Sequence, residues 1–68
     1  MTLDQLRYFQ AVCKYDGVSK AAECLNISQP SVSNAISKLE AEFGTMLFTR
    51  QNKRLILTKE GMMLLELA

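Results

Sequence analysis

Residues Ser28 to Phe43 read SQPSVSNAISKLEAEF, and this stretch decides how the rest of the chain is read. Val32, Ile36, Leu39 and Phe43 recur at steps of three and four with Ala35 beside them, which is the apolar stripe of a helix packed on a core. Ser28 is placed to cap that helix, and Pro30 falls in its first turn, where the missing N–H costs nothing and the fixed φ is already helical. The opposite face carries Pro30, Asn34, Ser37 and Ala41, with Ser31 and Lys38 along one edge, Ser33 along the other, and Gln29 projecting from the N-terminal turn. Solvated helix faces are normally crowded with Lys and Glu, but here long charged side chains begin only at Lys38. A bare face of short polar groups suits insertion into a groove.

Immediately upstream, Ser19 reads as the N-cap of a short helix through Leu25, in which Ala21 and Ala22 permit close helix packing. Asn26-Ile27 then forms a tight turn into the Ser28 helix. Two helices so joined form a helix-turn-helix, whose second helix fits a DNA major groove. Asn and Gln bond bidentately to adenine and Ser serves donors or acceptors, so Gln29, Ser33 and Asn34 are the candidate base readers. The same residue types near a helix start also act as local caps, and this stretch alone leaves both readings open. Further upstream, Thr2 and Gln5 fit a capping box. Leu3, Leu6, Phe9, Val12 and Cys13 then form the apolar stripe of a scaffold helix that ends at Asp16-Gly17, with Gly17 as its left-handed cap.

Downstream, Gly44 stops the central helix. Met46–Arg50 and Leu55–Leu57 are short apolar runs around the polar, basic tip Gln51-Asn52-Lys53-Arg54, which predicts a β-hairpin longer than the two-residue type. A cationic hairpin beside a helix-turn-helix is a wing. Lys53 and Arg54 are placed to follow phosphate or enter a minor groove, and Arg50 at the strand end to anchor phosphate; a solvated loop with ordinary surface Lys accounts for the same residues. Thr58 caps a last helix, with Glu60 in its first turn facing the positive end of the dipole. Met62, Met63, Leu64, Leu65 and Leu67 make that helix apolar nearly all round, which points to a dimerising partner helix or a continuation of the chain.

At 68 residues the chain is one small domain, near the lower size at which a single core holds without staples. The net charge of +1 is weak for a nucleic-acid binder, but its distribution is uneven. Residues 28–59 hold Lys38, Arg50, Lys53, Arg54 and Lys59 against Glu40 and Glu42, while residues 1–27 are balanced. Cys13 and Cys24 lack zinc-site spacing, and with no His to join them they read as buried thiols; no metal or cofactor is expected. The N-terminus has no secretory apolar region and no run reaches membrane-spanning length, so a cytoplasmic protein is expected. There is no phosphate-cradling Gly loop, and Asp4, Asp16, Glu23, Glu40 and Glu42 read as surface charges, so an enzyme is not expected.

The strings LDQLRYFQAV, SKAAECLNISQPSVSNAISKLEAEFG, LFTR and LILTKEG together resemble the N-terminal DNA-binding domain of LysR-type transcriptional regulators, over essentially the whole chain. The resemblance implies a mainly α fold with a small β-hairpin: a winged helix-turn-helix over residues 1–58 and the start of a linker helix over 59–68, through which subunits dimerise. It also implies that the chain is part of a longer regulator, of higher oligomeric state, with a C-terminal domain for a small-molecule effector. Carried over by position, Gln29, Pro30, Ser31 and Ser33 match the start of the recognition helix, Ser19 a phosphate-approaching position, Arg50 the strand-end Arg and Lys53 a wing base. Asn34, Ser37, Lys38 and Arg54 complete the expected DNA-contacting set. Asn34 and Ala35 depart from the Arg and longer polar side chain of many members, so at that position adenine or a phosphate is expected instead of guanine. A molybdate-responsive regulator would share this DNA role, whereas a protein-interaction winged helix would use the fold without DNA.

Overall fold

The computed structural model describes residues 1–52 and 54–67. Among them are α1 (Leu3–Tyr15), α2 (Val18–Leu25), α3 (Gln29–Phe43), β1 (Phe48–Gln51), β2 (Arg54–Leu57) and α4 (Lys59–Leu67). The expected mainly α fold with one hairpin is present, and the caps explain most of its boundaries. Thr2 and Gln5 form the reciprocal capping box of α1, each side chain taking the other's backbone N–H at 3.1 Å. Asp16, not Gly17, adopts the left-handed conformation that ends α1 (φ 59°, ψ 43°), a state that Asp tolerates better than most side chains. Ser19 does not cap α2: Gly17 holds the N-cap position and Ser19 lies within the first turn. Asn26 closes α2 in the left-handed conformation, its N–H donating to the carbonyls of Ala22 and Glu23. The Ser28 hydroxyl accepts the Ser31 N–H at 3.3 Å to open α3, and Gly44 ends it at φ 66°.

The core lies where α1, α2 and α3 meet the start of the hairpin. Phe9, Val12, Val32, Leu39 and Leu47 are fully buried, and Ala21 and Ala22 let α2 pack closely against its neighbours. Phe9 and Phe48 meet as a tilted aromatic pair, ring centroids 5.4 Å apart, so the scaffold helix directly seats the first strand. Burying a side chain of this size stabilises by about 1.5–3 kcal/mol. Two stripe residues fall outside the core. Leu3 is 80% exposed although the chain's start lies against the end of α3, where the Met1 ammonium donates to the Glu42 carboxylate at 2.7 Å, and Phe43 is 47% exposed on the side of α3 that meets α4. There Phe43 shares an apolar groove with Leu47, Met63, Leu64 and Leu67.

The strands pair antiparallel, from Phe48 opposite Leu57 to Gln51 opposite Arg54. Two positions, 52 and 53, therefore join them, and the hairpin is tighter than the longer type expected. Asn52 supplies the positive φ, 52°, that two-residue hairpin turns require. Thr58 ties hairpin to α4: its hydroxyl donates to the Met46 carbonyl at 2.7 Å and accepts the Gly61 N–H at 3.0 Å, while its own N–H donates to the Leu47 carbonyl at 3.0 Å. On α4, Leu64 turns inward and is 8% exposed, so this member of the expected dimer set belongs to the core. Met62, Met63, Leu65 and Leu67 remain exposed.

Candidate nucleic-acid interface

The capped start of α3 presents Gln29, Pro30, Ser31, Ser33, Asn34, Ser37 and Lys38 to solvent, while Val32, Ala35, Ile36 and Leu39 anchor the helix behind them. The short polar face is thus a surface, held rigidly by a core stripe. Ser31 divides its role, because its hydroxyl lies 2.7 Å from that of Ser28 as well as its N–H being capped there. Local capping therefore accounts for Ser28 and part of Ser31, and for none of the bonding capacity of Gln29, Ser33 or Asn34 among the described contacts.

Beside this face lies a groove lined by Asp16, Ser19, Lys20, Gln29, Arg50 and Arg54. The α1–α2 turn, the starts of α2 and α3, and the hairpin all converge on it. Gly17 offers no side chain to cap α2, and Gly17, Val18 and Ser19 line this groove, so the helix start that borders it has no side-chain cap, an arrangement suited to an anion. A second groove, between α3 and the hairpin, is bordered by Ser33, Ser37, Thr49 and Arg50. Arg50 lines both, which joins the polar face of α3 to the cationic groove in one surface. Lys53 lies outside the described residues.

Three contributors escaped the sequence reading. Lys20 follows Ser19 in the first turn of α2 and lines the same groove; taking that helix start as a phosphate site would have included it. Asp16, read as a surface charge, pairs with Arg54 at 3.5 Å. Glu40, also read as a surface charge, accepts the Leu47 N–H at 2.8 Å and the Phe48 N–H at 3.3 Å through one carboxylate oxygen. It fixes the hairpin's root to α3, a long-range role that no local signal carries. Cys24 is exposed, contrary to the buried-thiol expectation, while Cys13 is half-buried and desolvation pushes its thiol up to about 11. No group of His, Cys, Asp and Glu among the described residues is arranged to hold a metal, and no described helix is long and apolar enough to cross a membrane.

With this geometry in view, residues 3–62 match the model of the bacterial regulatory helix-turn-helix proteins of the lysR family. The chain belongs to the lysR family. The family is one of transcriptional regulators, not enzymes, and the chain's winged helix-turn-helix is its DNA-binding domain type. Among lysR-family relatives, the RuBisCO operon transcriptional regulator of Allochromatium vinosum is 44% identical over 61 residues, 90% of this chain and 20% of that protein. The hydrogen peroxide-inducible genes activator of Haemophilus influenzae is 37% identical over 68 residues, 100% of this chain and 23% of its own length. The chain thus spans about a fifth of the length of these curated lysR relatives. Among solved structures, a LysR-family transcriptional regulator from Eggerthella lenta superposes with a TM-score of 0.94 at 40% identity, covering 98% of this chain and 96% of that one. A CbnR DBD–DNA complex gives 0.90 at 36% identity, covering 97% and 76%. A BenM DBD complex with catB site 1 DNA gives 0.92 at 39% identity, covering 98% and 74%.

Proposed function

We propose that this lysR-family domain recognises an operator in double-stranded DNA as a two-fold symmetric dimer, with α3 of each copy in a major groove and each wing on adjacent backbone or minor groove. The observation that carries the reading is the exposed polar face of α3 running into the groove of Lys20, Arg50 and Arg54. Gln29, Ser33 and Asn34 have the chemistry to read base edges, while Ser19, Lys20, Arg50 and Arg54, with the open start of α2, have the chemistry to hold phosphate. Ser37 and Lys38 extend the contact along α3, and Pro30 and Ser31 set its entry. Similarity to the CbnR and BenM domains solved with DNA supports this role.

Dimerisation is assigned to α4. Its Met62, Met63, Leu65 and Leu67 are exposed beside half-exposed Phe43, a density of large apolar side chains that favours a second copy over water. Within a longer regulator, a small-molecule effector would act through a separate domain, with residues 59–67 as the start of the link to it. Selection of preferred duplexes from a random pool tests the DNA reading. Enrichment of a motif with two-fold symmetry supports it, and the absence of any enrichment at low salt overturns it. Sedimentation that finds monomer alone at high protein concentration overturns the assignment of α4.

A further inference from the structure

The groove between α2 and the wing mixes charges. Lys20, Arg50 and Arg54 line it together with Asp16, the acidic side chain among its described lining residues. Asp16 is held in place by its backbone, which forms the left-handed cap of α1 and donates its N–H to the Val12 carbonyl. Its carboxylate reaches Arg54 across the groove at 3.5 Å, and both side chains stay largely in water, 68% and 76% exposed. The separation is longer than the roughly 2.7–2.9 Å of a charge-assisted hydrogen bond. This pair is therefore no rigid clamp. At this separation and exposure it is a weak, solvent-screened ion pair.

We propose that Asp16 competes with DNA phosphate for Arg54 and so trims sequence-independent affinity. The inference rests on the DNA reading above. Phosphate contacts supply most non-specific binding, and base contacts supply discrimination. A carboxylate stationed beside a phosphate-binding Arg weakens that contact on any duplex and leaves the base-reading face of α3 untouched, so a larger share of the remaining affinity comes from base contacts.

The test compares wild type, Asp16→Asn, Arg54→Gln and the double variant for binding a fluorescent mixed-sequence duplex by anisotropy. Asn is isosteric with Asp and tolerates the left-handed backbone equally well, so the substitution removes charge and keeps the turn; matching circular dichroism verifies that. Asp16→Asn tightens binding about twofold to fivefold at low salt, the range of exposed ion pairs. The gain shrinks as salt rises from about 50 to 200 mM. In the Arg54→Gln background the same change gives no gain. Unchanged or weaker binding by Asp16→Asn overturns the proposal, as does an equal gain in both backgrounds, which would mean general repulsion of DNA. If wild type fails to bind the duplex at low salt, the DNA reading itself falls and takes this one with it.

Discussion

Gly61 lies in the first turns of α4, a position where a helix ordinarily gains from Ala by about 1 kcal/mol. Here the opposite is expected. A Cβ at Gly61 would meet the backbone carbonyl oxygen of Leu47 well inside the 3.0 Å that real Cβ atoms keep, and Leu57 Cδ1 at 2.6 Å. The Leu side chain can rotate aside, but the carbonyl is held by the Thr58 N–H at 3.0 Å and belongs to a residue only 1% exposed. Relief requires moving α4 away from the hairpin's root. Overpacking of this kind costs about 1–3 kcal/mol, and losing the Thr58 to Leu47 bond adds about 1 kcal/mol. After the propensity gain, Gly61→Ala should cost about 1–3 kcal/mol. For a domain of this size, whose whole stability is on the order of 3–10 kcal/mol, that lowers Tm by roughly 4–20 °C. Thermal unfolding followed by circular dichroism measures it. A Tm equal to or above wild type would show that α4 is not clamped against Leu47 as described, and that helix propensity alone governs the site.

Other consequences are as direct. Asn34→Ala should relax preference at one base position of the selected motif while leaving the others, and an unchanged motif refutes a reading role for Asn34. Glu40→Ala strands the Leu47 and Phe48 N–H groups, so the urea midpoint should fall by the equivalent of about 1–3 kcal/mol, with Glu40→Gln recovering part of the loss; equal midpoints for all three proteins refute the clasp. Iodoacetamide at mildly alkaline pH should modify exposed Cys24 ahead of Cys13, whose thiolate is disfavoured by burial, and peptide mapping that finds Cys13 labelled first contradicts this. The folded Cys13 thiol titrates near 11 against an ordinary 9.0. The unfolded chain therefore loses that proton first, and stability falls as pH rises through this window; the fall should be smaller in Cys13→Ala.

The positions of the elements were legible because the signals that set them are local. Thr2, Ser28 and Thr58 cap their helices through bonds to residues three positions on, and Asn26 and Gly44 end theirs in the left-handed region. Helical periodicity likewise separated Val32, Ile36 and Leu39 from the exposed face of Gln29, Ser33, Asn34 and Ser37. Where two neighbours competed for one local role, the reading slipped by a residue or two: Asp16 instead of Gly17 closes α1, and Gly17 instead of Ser19 opens α2. The hairpin's loop length slipped likewise, because the ladder continues through the polar pair Gln51 and Arg54, whose side chains gave no strand signal.

By itself, then, the sequence determined the order of elements, most of the caps and the face of α3 that meets solvent, since each depends on groups within a turn or two of one another. Only the tertiary structure decided which apolar residues are covered. Leu3 and Phe43 share a stripe with core residues yet stay exposed, and Leu64 is buried among exposed neighbours, because burial depends on what lies opposite and not on period. It also decided the partners of the charges. Glu40 finds two backbone donors seven and eight residues away, and Asp16 finds Arg54 across a groove that exists only once α2 and the wing converge on it. A carboxylate carries no sequence mark of the donor it will meet, because that meeting is made by the packing of the helices and hairpin that bring the two together.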